Sequence, residues 1–183
     1  MARWRLDTDH TAAEFAVRHM MITTVHGKFT NVTGTLEFDP TRPEDAIVEA
    51  YIDTTTVETG AEDRDAHLRS VDFLDVENHP YIAFRSTSIE MGGTNSRGKV
   101  IGDLTIRGIT QQVTLDVESF GNDISSWGDK RTGFVATTRI NREIFGMTWN
   151  RRLESGNWLV DKEVKITLNV QAIEVAETGE IAA

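Results

Sequence analysis

The sequence predicts an all-β domain of about eight antiparallel strands, arranged as a sandwich or barrel, with one short helical insert. Apolar and polar residues alternate with a period of two through most of the chain. The main helix-like interruption falls within residues 64–86, RDAHLRSVDFLDVENHPYIAFRS. Turn residues separate the alternating runs, as a curled antiparallel sheet requires.

Taken in order, Phe15, Val17 and His19 share one face of a first strand, with Ala16, Arg18 and Met20 on the other. An extended run over 25–39 follows, where Gly27 and Gly34 read as bulges or bends. Pro40 and Pro43 mark the next loop, and Val48, Ala50 and Ile52 then alternate with Glu49, Tyr51 and Asp53. After TTTVETG, residues 61–70 form the predicted helix, with Glu62 and Asp63 in its first turn. A further helical turn over 71–75 buries Phe73 and Leu74, and Pro80 ends the insert. Ile82 and Phe84 share a face, as do Val100, Gly102, Leu104 and Ile106. Val113, Leu115 and Val117 lie across the RGIT turn, and Phe134, Ala136, Thr138 and Ile140 form the next stripe. Val164, Ile166, Leu168, Val170 and Ala172 form the last. One domain over 1–175 accounts for all of this, with 176–183 expected to be a flexible acidic tail.

Composition narrows the function. The 183 residues carry 19 Lys+Arg against 29 Asp+Glu, a net charge of −10. That balance argues against binding a nucleic-acid backbone and, on average, against an anionic membrane surface. No cysteine is present, so disulfides and thiolate chemistry are excluded. No apolar run approaches the length of a spanning helix, and the first residues, MARWRLDTDHTAAEF, lack the apolar stretch of a secretory signal. The expectation is a soluble, cytoplasmic protein.

The sequence offers no catalytic constellation. It contains no GxSxG elbow, GxxxxGK[ST] loop or GxGxxG loop. Asp63 and Asp65 stand two apart on a helix, which points them in different directions. His10, His19, His26, His67 and His79 show neither HxH nor HExxH spacing, so no metal site is expected. His67 is expected to bond a local acid or backbone group, and Arg64 and Asp65 to anchor the insert. Asp103 and Arg107 read as solvent-side polarity opposite Leu104. Trp127, Trp149 and Trp158 lie near glycine-containing loops, where they can cap a barrel end or form a dimer contact.

The chain resembles the YceI-like family of polyisoprenoid-binding barrels. The resemblance rests on ordered motifs: WRLDTDHTAAEFAVRHMMITTVHGKF, RDAHLRSVDFLDVENHPYIAFRS, GDLTIRGITQQV, RINREIFGMTWN and EVKITLNVQAI. It implies an eight-stranded, antiparallel, lipocalin-like barrel around a long apolar pore, with the helical insert beside or over it. It also implies a long-chain isoprenoid or related lipid as ligand, with no cofactor. Many members carry a secretion signal, and this sequence departs from that pattern.

The residues expected on such a lumen are Phe15, Val17, His19, Val48, Ile52, Phe84, Leu104, Leu115, Val117, Phe134, Ile140, Ile166 and Leu168. The expected function is non-catalytic binding, sequestration or carriage of the lipid by a homodimer. The alternative is a plugged barrel serving as a protein-interaction or stress-related structural module, since large and small residues on one face can also interdigitate.

Overall fold

The computed structural model describes residues 1–39, 41–93 and 96–175. The acidic tail expected over 176–183 lies outside the described residues. Strands β1 (Ala2–Leu6), β2 (Ala12–His19), β3 (Thr23–Phe29), β4 (Val32–Phe38), β5 (Ile47–Asp53) and β6 (Val57–Glu58) precede the α-helix α1 (Glu62–Arg69). Strands β7 (Tyr81–Met91), β8 (Arg97–Ile106), β9 (Ile109–Ile124), β10 (Lys130–Asn141) and β11 (Val160–Glu174) follow it.

Eight of these strands close into an antiparallel ring, in the order β1-β4-β5-β7-β8-β9-β10-β11 and back to β1. The closure is short: Trp4 pairs with Glu174 and Leu6 with Ala172. The rest of β11 pairs with β2, as in Val164 with Val17 and Leu168 with Ala13. Strands β1 and β2 therefore share one side of β11 as a single interrupted strand. Strands β3 and β4 form a second one, pairing with β2 and with β1 respectively.

Side-chain hydrogen bonds hold both interruptions. At Thr8–His10 the Asp7 carboxylate accepts from the Asp9 amide at 3.3 Å, and His10 Nδ1 lies 2.8 Å from it. Asp7 also accepts from Gln171 Nε2 and Arg131 Nη1, each at 2.9 Å, which joins the break to β11 and β10. At Thr30 and Asn31 the two amides donate to Thr56 Oγ1, at 3.2 and 3.4 Å. The expected extended run over 25–39 is thus two strands, and its break falls between the two glycines rather than at either of them.

Gly27 and Gly34 lie inside β3 and β4, whose pairing registers run through them without the expected bulges. A side chain at 27 would fall on the Phe15 ring, and one at 34 on the Glu49 carbonyl. Close approach of neighbouring atoms explains these glycines. Strand β1 gives a weak sequence signal because ARWRL is short, with small Ala2 beside Trp4 and Leu6 on its inward face.

The insert docks as expected of Arg64 and Asp65. Asp65 is buried and accepts from the Thr59 amide and hydroxyl at 2.8 and 2.6 Å. Arg64 donates to the Thr59 hydroxyl and carbonyl at 2.7 and 2.9 Å. Phe73 and Leu74 are buried beyond the helix. Arg107 departs from the expected solvent-side role. It occupies the β8–β9 turn with φ of 52° and donates to the Phe73 carbonyl at 2.9 Å, tying the insert to the barrel rim. Among the described residues no helix is long and apolar enough to cross a membrane.

Candidate ligand-binding site

The inward faces of the strands enclose a cavity of about 710 Å³. Its wall follows from the strand period of two: Val113, Leu115 and Val117 on β9, Phe134, Ala136, Thr138 and Ile140 on β10, and Val164, Ile166, Leu168 and Val170 on β11. On β8 the lining runs from Gly98 to Ile106, roughly 26 Å along the strand at ~3.3 Å per residue. With the tilt usual for closed barrels this is about 20 Å along the axis.

All the residues that the sequence placed on a lumen line this cavity: Phe15, Val17, His19, Val48, Ile52, Phe84, Leu104, Leu115, Val117, Phe134, Ile140, Ile166 and Leu168. Of these only Leu104, Leu115 and Ile140 are buried. The others are half-buried although they point inward, which is how a wall residue differs from a close-packed core residue. Large side chains are accommodated by small neighbours. Phe15 lies over Gly27 and Phe84 over Gly102, while Phe15 also packs on Phe29 at a centroid distance of 5.7 Å.

At the helix end the wall becomes aromatic and then polar. His67, Phe73 and Trp149 form a cluster, with His67 edge-on to Trp149 at 4.5 Å and to Phe73 at 5.0 Å. His67 Nε2 contacts Asp72 Oδ2 at 2.9 Å, the local acidic partner expected of it, yet the ring also lines the cavity. The exposed Asp63 and Arg64 border the same end. Exposed Ser96 and Arg97 border the other, where Arg97 is paired with Glu118 at 3.1 Å. Apolar walls with polar groups at both ends suit an elongated ligand whose middle is hydrocarbon.

The tryptophans separate by role. Trp149 lines the cavity, whereas Trp127 and Trp158 are exposed outside it. His10 and His79 lie beside Asp7 and Asp75, at 2.8 and 3.9 Å, and His26 is on the outer surface.

Arg142 had no signal in the sequence. It is buried and lines the cavity, and its guanidinium donates to the carbonyls of Met147 (2.5 Å), Asp161 (2.8 Å), Trp149 (2.9 Å) and Val160 (3.3 Å). Burial lowers its pKa, partly offset by Glu143 and Asp161. With four donors on carbonyls, Arg142 fixes the 142–161 loop and the position of Trp149. Its partners are backbone groups up to nineteen residues away, so no local motif reveals them.

Known proteins share this arrangement. The YceI-like domain family matches residues 4–172. Protein YceI of Escherichia coli is 33% identical over 175 residues, covering 94% of this chain and 87% of that protein. The crystal structure of Burkholderia cenocepacia BcnA superposes with a TM-score of 0.79 at 21% identity, over 91% of this chain and 98% of that one. A polyisoprenoid-binding domain from Saccharophagus degradans, implicated in plant cell wall breakdown, does so with a TM-score of 0.69 at 13% identity, over 96% and 100%. The two structures share the barrel; the family match and the Escherichia coli relative carry the kinship, and by these the chain belongs to the YceI-like family.

Proposed function

We propose that this protein binds a long-chain isoprenoid or related lipid inside its barrel and sequesters or carries it without chemical change. The observation that carries this reading is the unfilled apolar cavity of about 710 Å³. Its volume lies within the range of small-molecule sites, and its half-buried wall is almost entirely hydrocarbon. Burying each CH₂-sized group contributes roughly 0.8 kcal/mol. A tail of several isoprene units therefore reaches the ~8 kcal/mol of a micromolar complex even after its loss of freedom. Membership of the YceI-like family, and a barrel fold shared with a polyisoprenoid-binding domain, support the ligand class. A plugged barrel would instead have a filled centre. The homodimer and the cytoplasmic location expected from the sequence belong to the same proposal, and light scattering and cell fractionation test them.

Native mass spectrometry of protein purified from its own host, followed by organic extraction, tests the ligand. A prenyl-chain lipid in one-to-one ratio with the barrel is the expected result. Folded protein that yields no lipid and takes up none on incubation would overturn the reading.

A further inference from the structure

We infer that the barrel docks on an anionic lipid surface through the β2–β3 turn, Met20, Met21 and Ile22, together with the neighbouring arginines Arg18, Arg151 and Arg152. Three observations point to this occupant.

The turn breaks its own backbone rules. Met20 and Met21 both have left-handed φ, 54° and 58°, a conformation that favours glycine or asparagine. Two long apolar side chains stand there instead, and Ile22 beside them is 73% exposed. Two long apolar side chains at positive φ carry a backbone cost, which points to a use for the side chains themselves.

The charge around the turn is mainly positive, with Glu154, Asp161 and the Arg139-paired Glu163 as the nearby acids. Arg18 Nη2 donates to the Met21 carbonyl at 3.2 Å. The Met20 amide donates to the Leu159 carbonyl at 2.7 Å, and the Leu159 amide to the Arg151 carbonyl at 2.9 Å, so the two hairpins are adjacent. Arg152 is bridged to Trp158 and sits 5.8 Å from its half-exposed ring. Among the described residues Arg18, Arg151 and Arg152 form no ion pair with a carboxylate. Residues 16–26 contain no acid, and 151–159 contain only Glu154. In a chain of net charge −10 this is a local exception. At physiological salt the Debye length is about 8 Å, so charges at the contact outweigh the distant acidic surface.

The patch also adjoins the cavity. His19 and Leu159, which flank the turn and its neighbour, line the lumen. An apolar wedge with arginines and a tryptophan, placed at the rim of a hydrocarbon-lined cavity, has the composition of an interfacial anchor. The other apolar tip, Phe120, Ile124 and Trp127, lacks this selectivity. Its cations Lys130 and Arg131 are paired with Glu174, Asp7 and Asp129.

Sedimentation of the full chain with phosphatidylcholine vesicles containing about a third phosphatidylglycerol, at about 150 mM salt, is the test. The protein is expected to pellet with these vesicles and not with pure phosphatidylcholine. M20N/M21G, which suits the left-handed turn and so retains the fold, lowers the bound fraction at least about tenfold. R151Q/R152Q does the same. No pelleting, or equal pelleting with both vesicles, overturns the inference. So does a wild-type dimer that ignores vesicles and becomes monomeric in M20N/M21G. Uptake of a long-chain fluorescent probe in the absence of vesicles is measured alongside and is unchanged in both variants. A barrel that takes the probe but ignores vesicles contradicts the docking surface alone, and one that takes no probe contradicts the reading of the cavity.

Discussion

Phe15 and Gly27 face each other across β2 and β3, and the phenyl ring fills the space that a side chain at 27 would occupy. The pair lets an aromatic ring lie flat against the barrel wall and leaves the lumen open. Gly27→Ala is expected to push the ring inward and destabilise the fold by about 1–3 kcal/mol, measured by urea unfolding. Combining it with Phe15→Leu relieves the clash, giving a coupling of at least about 0.5 kcal/mol in a double-mutant cycle. Additive effects would mean that the ring does not rest on the glycine.

Arg142 is a buried cation that spends four of its five N–H donors on backbone carbonyls. Replacing it with methionine strips several buried acceptors at once, and the expected cost is about 3 kcal/mol or more. Arg142→Lys recovers little of this, because a single ammonium cannot reproduce the planar fork. Urea midpoints of the two variants check both expectations.

Asp7 gives the fold an acid-sensitive joint. Burial alone raises its pKa, but hydrogen bonds from His10 and Gln171, the nearby His10 charge and the Asp9 amide outweigh this and hold it below the usual range. A carboxyl with a depressed native pKa contributes stability that is fully present above its unfolded value of about 3.9. That contribution is lost as pH falls through the native value. Asp7→Asn is therefore expected to lower Tm at neutral pH, with the gap to wild type closing below about pH 3. A gap that stays constant with pH would mean that the carboxylate charge is not what holds the β1–β2 break.

The period-two alternation made the lumen legible, because in a closed barrel the inward face is the whole of each apolar stripe, from Val113 to Val117 or from Val164 to Val170. What stayed hidden depends on distant partners. The break at Asp7 needs Arg131 and Gln171, more than a hundred residues away, and Arg142 needs carbonyls scattered over a loop. Arg107 looked solvent-facing because strand alternation was extended into a turn, where φ of 52° redirects it to Phe73. Glycine inside a strand has two causes, bending and close approach, and only the position of the Phe15 ring decides between them at Gly27.

The claim that the lumen takes a hydrocarbon chain is tested most directly by titrating the protein with a fluorescent long-chain polyprenyl probe. Wild type is expected to saturate at one probe per barrel with a Kd of about 1 μM or tighter. Thr138→Phe, which adds bulk to a half-buried wall position, is expected to abolish uptake while the far-UV spectrum stays that of wild type. Folded wild-type protein that leaves the probe unbound, or a Thr138→Phe variant that binds it as wild type does, would contradict the account.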